Sequence, residues 1–141
     1  MSTEENKAVI RQLVDEVYNN GNIGSAGKFF DTACILHHPA VPVPMQGVET
    51  VQGFITGILG AFPDFQITVE DLIAEGDKVV NRATISGTFK GAFGAIPPTG
   101  KRATWTATGI YRIVDGKVTE AWEDVDMLGG FQRLGVIPAL G

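Results

Sequence analysis

The chain has 141 residues, 44% hydrophobic and 19% charged, enough for one sizeable core and well below the size at which chains divide, so a single domain over residues 1–141 is expected. Eleven basic against sixteen acidic residues leave a formal charge of -5, and the Lys and Arg are scattered rather than striped, which argues against nucleic acid as a partner. A lone Cys34 excludes an intramolecular disulfide or a thiolate zinc site, no run of about 18 apolar residues exists to span a membrane, and "MSTEENKAV" is acidic where a secretion signal is basic; a reduced cytoplasm is the expected setting.

In chain order, Ser2 or Thr3 is an N-cap candidate, with Glu4 and Glu5 in the first turn and Ile10, Leu13, Val14, Val17 and Tyr18 on one face, so residues 2–19 should form an amphipathic helix. A short helix over 24–30 follows. "ACILHH" then reads as a strand cut off by Pro39, and residues 48–60 repeat apolar side chains at helical spacing. From Phe65 the period becomes two: strands are expected from 65 to the Glu75-Gly76-Asp77 loop, from 79 to 89, over 101–114 and over 117–126, before a closing helix at 127–133. Helices first and an antiparallel meander later indicate an α+β fold.

Asp115-Gly116 between two strands is a strong hairpin signal, and a two-residue turn pairs Val114 with Lys117. Walking that register puts Tyr111 opposite Glu120, Gly109 opposite Trp122, Ala107 opposite Asp124 and Trp105 opposite Asp126 on one face, with Glu123 among polar residues on the other. The first face carries the aromatics and is the expected pocket wall. A carboxyl group in such a site has its charged form disfavoured, which moves its pKa toward the working range of a general acid or base. Asp126 is the preferred candidate and Asp124 the second, because a single bulge would shift every assignment beyond it.

His37 and His38 are adjacent in a strand, so they point to opposite faces, and either could be the inward one. No His-x-His or His-x-x-x-His spacing exists, so no metal is expected. Arg82 falls opposite Glu70 across the Glu75–Asp77 loop, which reads as a surface ion pair. "GAFGAIPPTGK" is a connection over the sheet edge, with Phe93 placed to fold over the pocket mouth; no dinucleotide fingerprint or Gly-x-Ser-x-Gly elbow occurs, so no cofactor is signalled.

"HHP", "PMQGVETVQGFI", "AFPDFQITVEDLIAEGDKVVNRATISGTFKGAFGAIPPTGK" and "GIYRIVDGKVTEAWEDVDMLGGFQRLG" together resemble the SnoaL-like polyketide cyclases, or ester cyclases, of the nuclear-transport-factor-two-like superfamily. The resemblance covers residues 8–135 and implies a cone-shaped barrel, a curved and mainly antiparallel sheet wrapped around N-terminal helices, with an apolar cavity and often a homodimer. It implies cofactor-independent acid/base chemistry, an intramolecular aldol closure or isomerisation, on a small hydrophobic substrate. By motif the acid/base aspartate falls on Asp126 and the family's early histidine on His37; Trp105 and Trp122 would line the cavity, with Tyr18, Asp124, Arg82 and Phe93 as further substrate contacts. Because the superfamily also hosts dehydratases, hydrolases and non-catalytic binders, a small apolar ligand-binding protein is the alternative expectation.

Overall fold

The computed structural model describes residues 1–140. Helix α1, Thr3–Leu13, starts at a capping box in which the Ser2 hydroxyl accepts from the Glu5 amide and the Glu5 carboxylate accepts from the Ser2 amide, both at 3.1 Å. It runs on as a π-helical turn, Val14–Asn19, the widened winding that turns Val14, Val17 and Tyr18 inward together. Asn19 fixes the end of that turn to the sheet: its side chain donates to the Ile67 carbonyl at 2.9 Å and accepts from the Ile67 amide at 2.7 Å. A 3₁₀ helix, Ile23–Lys28, leads into β1, Phe30–His37; a short strand β2, Met45–Gln46, not expected from the sequence, precedes α2, Val48–Ala61.

The meander follows as β3 (Gln66–Glu75), β4 (Lys78–Thr88), β5 (Arg102–Val114) and β6 (Lys117–Val125), closed by α3 (Met127–Arg133). The strands form one curved, unclosed sheet in the order β2-β1-β6-β5-β4-β3, antiparallel throughout except where β1 runs parallel to β6. The α+β class expected from the sequence is therefore the one observed. Ile10, Leu13 and Val17 from the N-terminal helix and Ile55 from α2 pack against Leu36, Phe89 and Val118 of the concave side, all of them almost completely buried.

Two register shifts separate this sheet from the expected one. Between β3 and β4 the loop is Gly76-Asp77 alone, with Glu75 paired to Lys78 and Gly76 at φ 59°, and a bulge at Glu70 restores the pairing of Val69 with Ala83. Arg82 therefore pairs with Asp71 rather than Glu70, at 2.7 Å between Nη2 and Oδ2, on the outer face. Both side chains are more than half exposed, so the pair contributes little to stability.

The β5–β6 turn is as expected: Asp115 (φ 50°) and Gly116 (φ 77°) both take the left-handed conformation of a type I′ hairpin, and Val114 pairs with Lys117 and Ile113 with Val118. The next pair is Arg112 with Glu120, leaving Thr119 as an extra residue on β6. Every later residue of β6 is thereby turned to the opposite face. Ala121 lies across from Tyr111, Glu123 across from Gly109 and Val125 across from Ala107 on the concave side, while Glu120, Trp122 and Asp124 face outward.

Candidate functional site

The concave face, α1 with its π turn, and α3 enclose a predominantly apolar cavity of ≈ 100 Å³. Its polar groups lie close together. One row of side chains across the sheet runs Leu72, Asn81, Gly109, Glu123, each paired to the next on successive strands. Gly109 is what lets this row function. A Cβ there would stand 2.8 Å from Cε2 and 2.9 Å from the hydroxyl of Tyr111, so only glycine leaves space for the Tyr111 ring to lie over the neighbouring position. The ring brings its hydroxyl to Glu123, donating to Oε1 at 3.3 Å.

Glu123 is the desolvated carboxyl of the cavity, with 16% of its side chain exposed. Burial disfavours its charge and pushes its pKa from 4.5 up to about 7, outweighing the Tyr111 hydrogen bond, which pulls the other way. Burial likewise holds Tyr18 and Tyr111 well above the usual phenol range, reinforced in both by the Glu123 charge, so each presents an O–H donor at neutral pH. His38, just past the end of β1, is the inward histidine. Its Nδ1 accepts from the Ala40 amide at 3.0 Å, which places the proton of the neutral ring on Nε2, 4.0 Å from Glu123 Oε2. Burial lowers its pKa from 6.5 to about 4, so the imidazole is neutral near pH 7.

The residues singled out from the sequence divide between the two faces. Tyr18, Phe93, Trp105 and Asp126 line the cavity. Trp105 is buried against Phe62, and Phe93, on the turn closed by its pairing with Ile96, meets Phe131 of α3 at 6.4 Å between ring centroids. Asp126 sits where β6 passes into α3, its carboxylate accepting from the Gly129 amide at 2.9 Å and lying 3.8 Å from Arg133 Nη1. With 40% of its side chain exposed it is a helix cap at the cavity wall rather than a buried acid.

His37, Trp122, Asp124 and Arg82 do not reach the cavity. His37 and Trp122 stack on the outer face, 5.6 Å apart and 4° from parallel, and Glu120 bridges His37 Nε2 at 2.8 Å to Arg112 Nη1 at 3.1 Å. Asp124 is exposed beside Thr108. The physical reason for His37 is strand alternation: Phe30, Cys34 and Leu36 are the buried residues of β1, so His37 must face out and His38 in. For Trp122 and Asp124 it is the Thr119 bulge. Glu123, His38, Tyr111 and Asn81 are the cavity groups not singled out as site residues: Glu123 depends on that one extra residue and His38 on which histidine turns inward, while Tyr111 already lay on the expected pocket wall and Asn81 is in phase with the apolar Val79 and Ala83 of β4, neither carrying a motif of its own. Among the described residues no three His, Cys, Asp or Glu side chains converge as metal ligands, and no helix is long and apolar enough to cross a membrane.

An apolar cavity held between a curved sheet and N-terminal helices, with one desolvated carboxyl among neutral hydrogen-bond donors, has the form of a small-molecule site. The chain belongs to the SnoaL-like polyketide cyclase family, whose model matches residues 8–134. The aklanonic acid methyl ester cyclase DnrD of Streptomyces peucetius is 27% identical over 134 residues, covering 90% of this chain and 88% of that one. Among solved structures, AclR of Streptomyces galilaeus, a proposed hydroxylase, is 31% identical with a TM-score of 0.85 over 99% of this chain and 87% of its own. TsrD of Streptomyces laurentii is 27% identical with a TM-score of 0.86, covering 97% and 99%.

Proposed function

We propose that the protein closes a ring in a polyketide-type ketone by intramolecular aldol addition, with Glu123 as the acid/base. The observation that carries this reading is Glu123 itself, a carboxyl buried in the cavity and lifted to about 7, where it can both take and return a proton at working pH. In the proposed reaction the Glu123 carboxylate removes a proton alpha to a carbonyl. The enolate oxygen is held by the neutral donors that face the cavity, the Tyr18 hydroxyl and His38 Nε2–H. The enolate carbon then adds to a second carbonyl of the same molecule, and the resulting alkoxide takes the proton back from Glu123. No net proton is gained or lost, and the step calls on no cofactor.

Asp126 takes a different part in this reading from the one assigned to it by motif. Half-exposed and engaged with Gly129 and Arg133, it shapes the junction of β6 and α3 beside Trp105 and Phe131 rather than exchanging the proton. The cavity volume of ≈ 100 Å³ is below the ~300–1,000 Å³ of sites that enclose drug-sized ligands, so a polycyclic substrate requires the Phe93 turn and α3 to draw back.

The relatives supply the test compound. Incubated with aklanonic acid methyl ester, the protein should yield a product of unchanged mass, an isomer made by ring closure. A product one oxygen heavier would replace this reading with hydroxylation, and recovery of unchanged starting material bound to the protein would replace it with ligand storage. Tyr111 offers a finer check. Tyr111→Phe removes the hydrogen bond that favours ionised Glu123, and Gly109→Ala forces the ring aside to the same end, so both should move the midpoint of the pH–rate profile upward from about 7. A midpoint that stays in place in both variants would show that the phenol does not tune the acid.

A further inference from the structure

Among the described residues Asn81 is one of three buried polar residues outside the apolar core, 5% exposed on the concave face of β4, and its side chain lines the cavity. Its Oδ1 has no hydrogen-bond partner in the protein. Such an atom is costly to bury: a polar group left without a partner destabilises the fold relative to a paired one, and an apolar residue of the same shape would avoid the loss. The neighbours explain why nothing in the protein relieves it. Leu72 on one side has no donor, Gly109 on the other has no side chain, and Tyr111, two residues along β5 from Gly109, spends its single proton on Glu123.

We propose that Asn81 is a specificity residue whose Oδ1 accepts a hydrogen bond from a hydroxyl group on the substrate. Two strand spacings of ~4.8 Å separate Asn81 from Glu123 along their shared row, so the hydroxyl lies roughly 10 Å from the carboxyl at backbone level, across one or two fused rings. The substrate class is thereby narrowed to a hydroxylated aromatic ketone with its reacting carbon at the Glu123 end and a phenol or alcohol at the Asn81 end. This builds on the cyclase reading for the identity of the site, but the recognition is independent of turnover and is measured without it.

The probes are 2-naphthol and 2-methoxynaphthalene, bicyclic molecules of similar shape of which only the first can donate. Calorimetric titration of the wild-type protein should give a Kd at least about 10-fold lower for 2-naphthol, since a site built to bond a hydroxyl rejects the analogue lacking that donor. In Asn81→Leu and Asn81→Ala the two Kd values should converge to within about twofold, with 2-methoxynaphthalene still bound. Asn81→Leu should also melt at the same temperature as the wild type or higher. In Glu123→Gln the preference for 2-naphthol should persist. The proposal is overturned if the wild type binds the two probes equally or binds neither, if the preference survives in both Asn81 variants, or if it disappears in Glu123→Gln, which would move the hydroxyl to the carboxyl. Failure of ring closure with preference for 2-naphthol intact would reject the cyclase reading alone.

Discussion

Replacing Glu123 by Gln should lower turnover by about 10² to 10⁴, the range that proton transfer by a positioned side chain supplies, while the protein stays folded. Gln keeps the shape and an acceptor for the Tyr111 hydroxyl, so the loss reports the proton and not the packing. In the wild type the base is the ionised form, so kcat/KM should rise through about 7 and level off above it. The same substitution carries a signature in stability. Glu123 titrates near 4.5 when unfolded and near 7 when folded, so its contribution is fully present below about 4.5 and is lost as pH rises through about 7. The loss amounts to roughly 3 kcal/mol for ~2.5 pH units. Glu123→Gln should therefore match the wild type in thermal denaturation at pH 4 and exceed it at pH 8. His38 runs the other way, its contribution present above 6.5 and lost as pH falls through about 4, but both proteins share it and it drops out of the comparison. Equal melting temperatures at pH 8, or full activity in the variant, would remove Glu123 from the acid/base role.

That the folded state favours the protonated form of Glu123, while the proposed reaction starts from the ionised one, is informative about the site. The cavity holds a carboxyl, two phenols and an imidazole whose burial opposes charge in every one of them. Of these groups only Glu123 carries charge near pH 7, and only in part, so in the proposed reaction the charge passes from the carboxylate to the substrate oxygen among donors that are already in place. Asn81 extends the same logic to recognition, a polar atom left unpaired until a ligand arrives.

Much of this fold was open to reading in the residues. Ser2 and Glu5 announce the first helix, the change of period at Phe65 announces the meander, and Asp115-Gly116 sets the turn that the backbone adopts with two left-handed residues. The sheet faces of β6 were not, and the reason is physical. Alternation transmits any one-residue error to the end of the strand, and the inward face was chosen for its aromatics, Trp105, Tyr111 and, on β6, Trp122. The folded chain covers Trp122 by other means, with the His37 ring stacked on one side and the Arg112 guanidinium 5.4 Å from its centroid, so the indole is sheltered without entering the cavity. The two histidines were equally undetermined, because alternation assigns them to opposite faces without saying which is inward until Cys34 and Leu36 are known to be buried. What no local pattern in this sequence announces is the bulge, since threonine is an ordinary strand residue.

Lengthening β6 by one residue should therefore abolish the site more completely than any single substitution within it, whereas shortening it at the bulge should not. With Thr119 deleted, Glu120 follows Val118 directly and still pairs with Arg112, so Ala121, Glu123 and Val125 keep the concave face and only the local bend of the bulge is lost. An alanine inserted after Thr119 does the reverse: the inserted residue takes the place opposite Arg112, and Glu120, Trp122 and Asp124 turn toward the cavity in place of Ala121, Glu123 and Val125. Ala121 is fully buried across from Tyr111, and a glutamate in its place would be an unpaired charge in the core. Trp122 would stand across from Gly109, in the space that the Tyr111 ring now occupies. The same shift breaks the join to β1, where Ile35 pairs with Glu120 and Leu36 with Ala121. Several mechanisms of large destabilisation coincide, so the insertion should cost more than about 4 kcal/mol and lower the melting temperature by more than about 10 °C. Thr119→Ala should leave stability within about 1 kcal/mol, because the bulge depends on the residue count and the hydroxyl makes only a long contact, 3.4 Å, to the Arg112 carbonyl. An insertion variant that melts like the wild type and retains turnover would mean that β6 loops out a second residue to hold its register. Loss of turnover in a folded deletion variant would mean that the bend of the bulge, and not the register alone, positions Glu123.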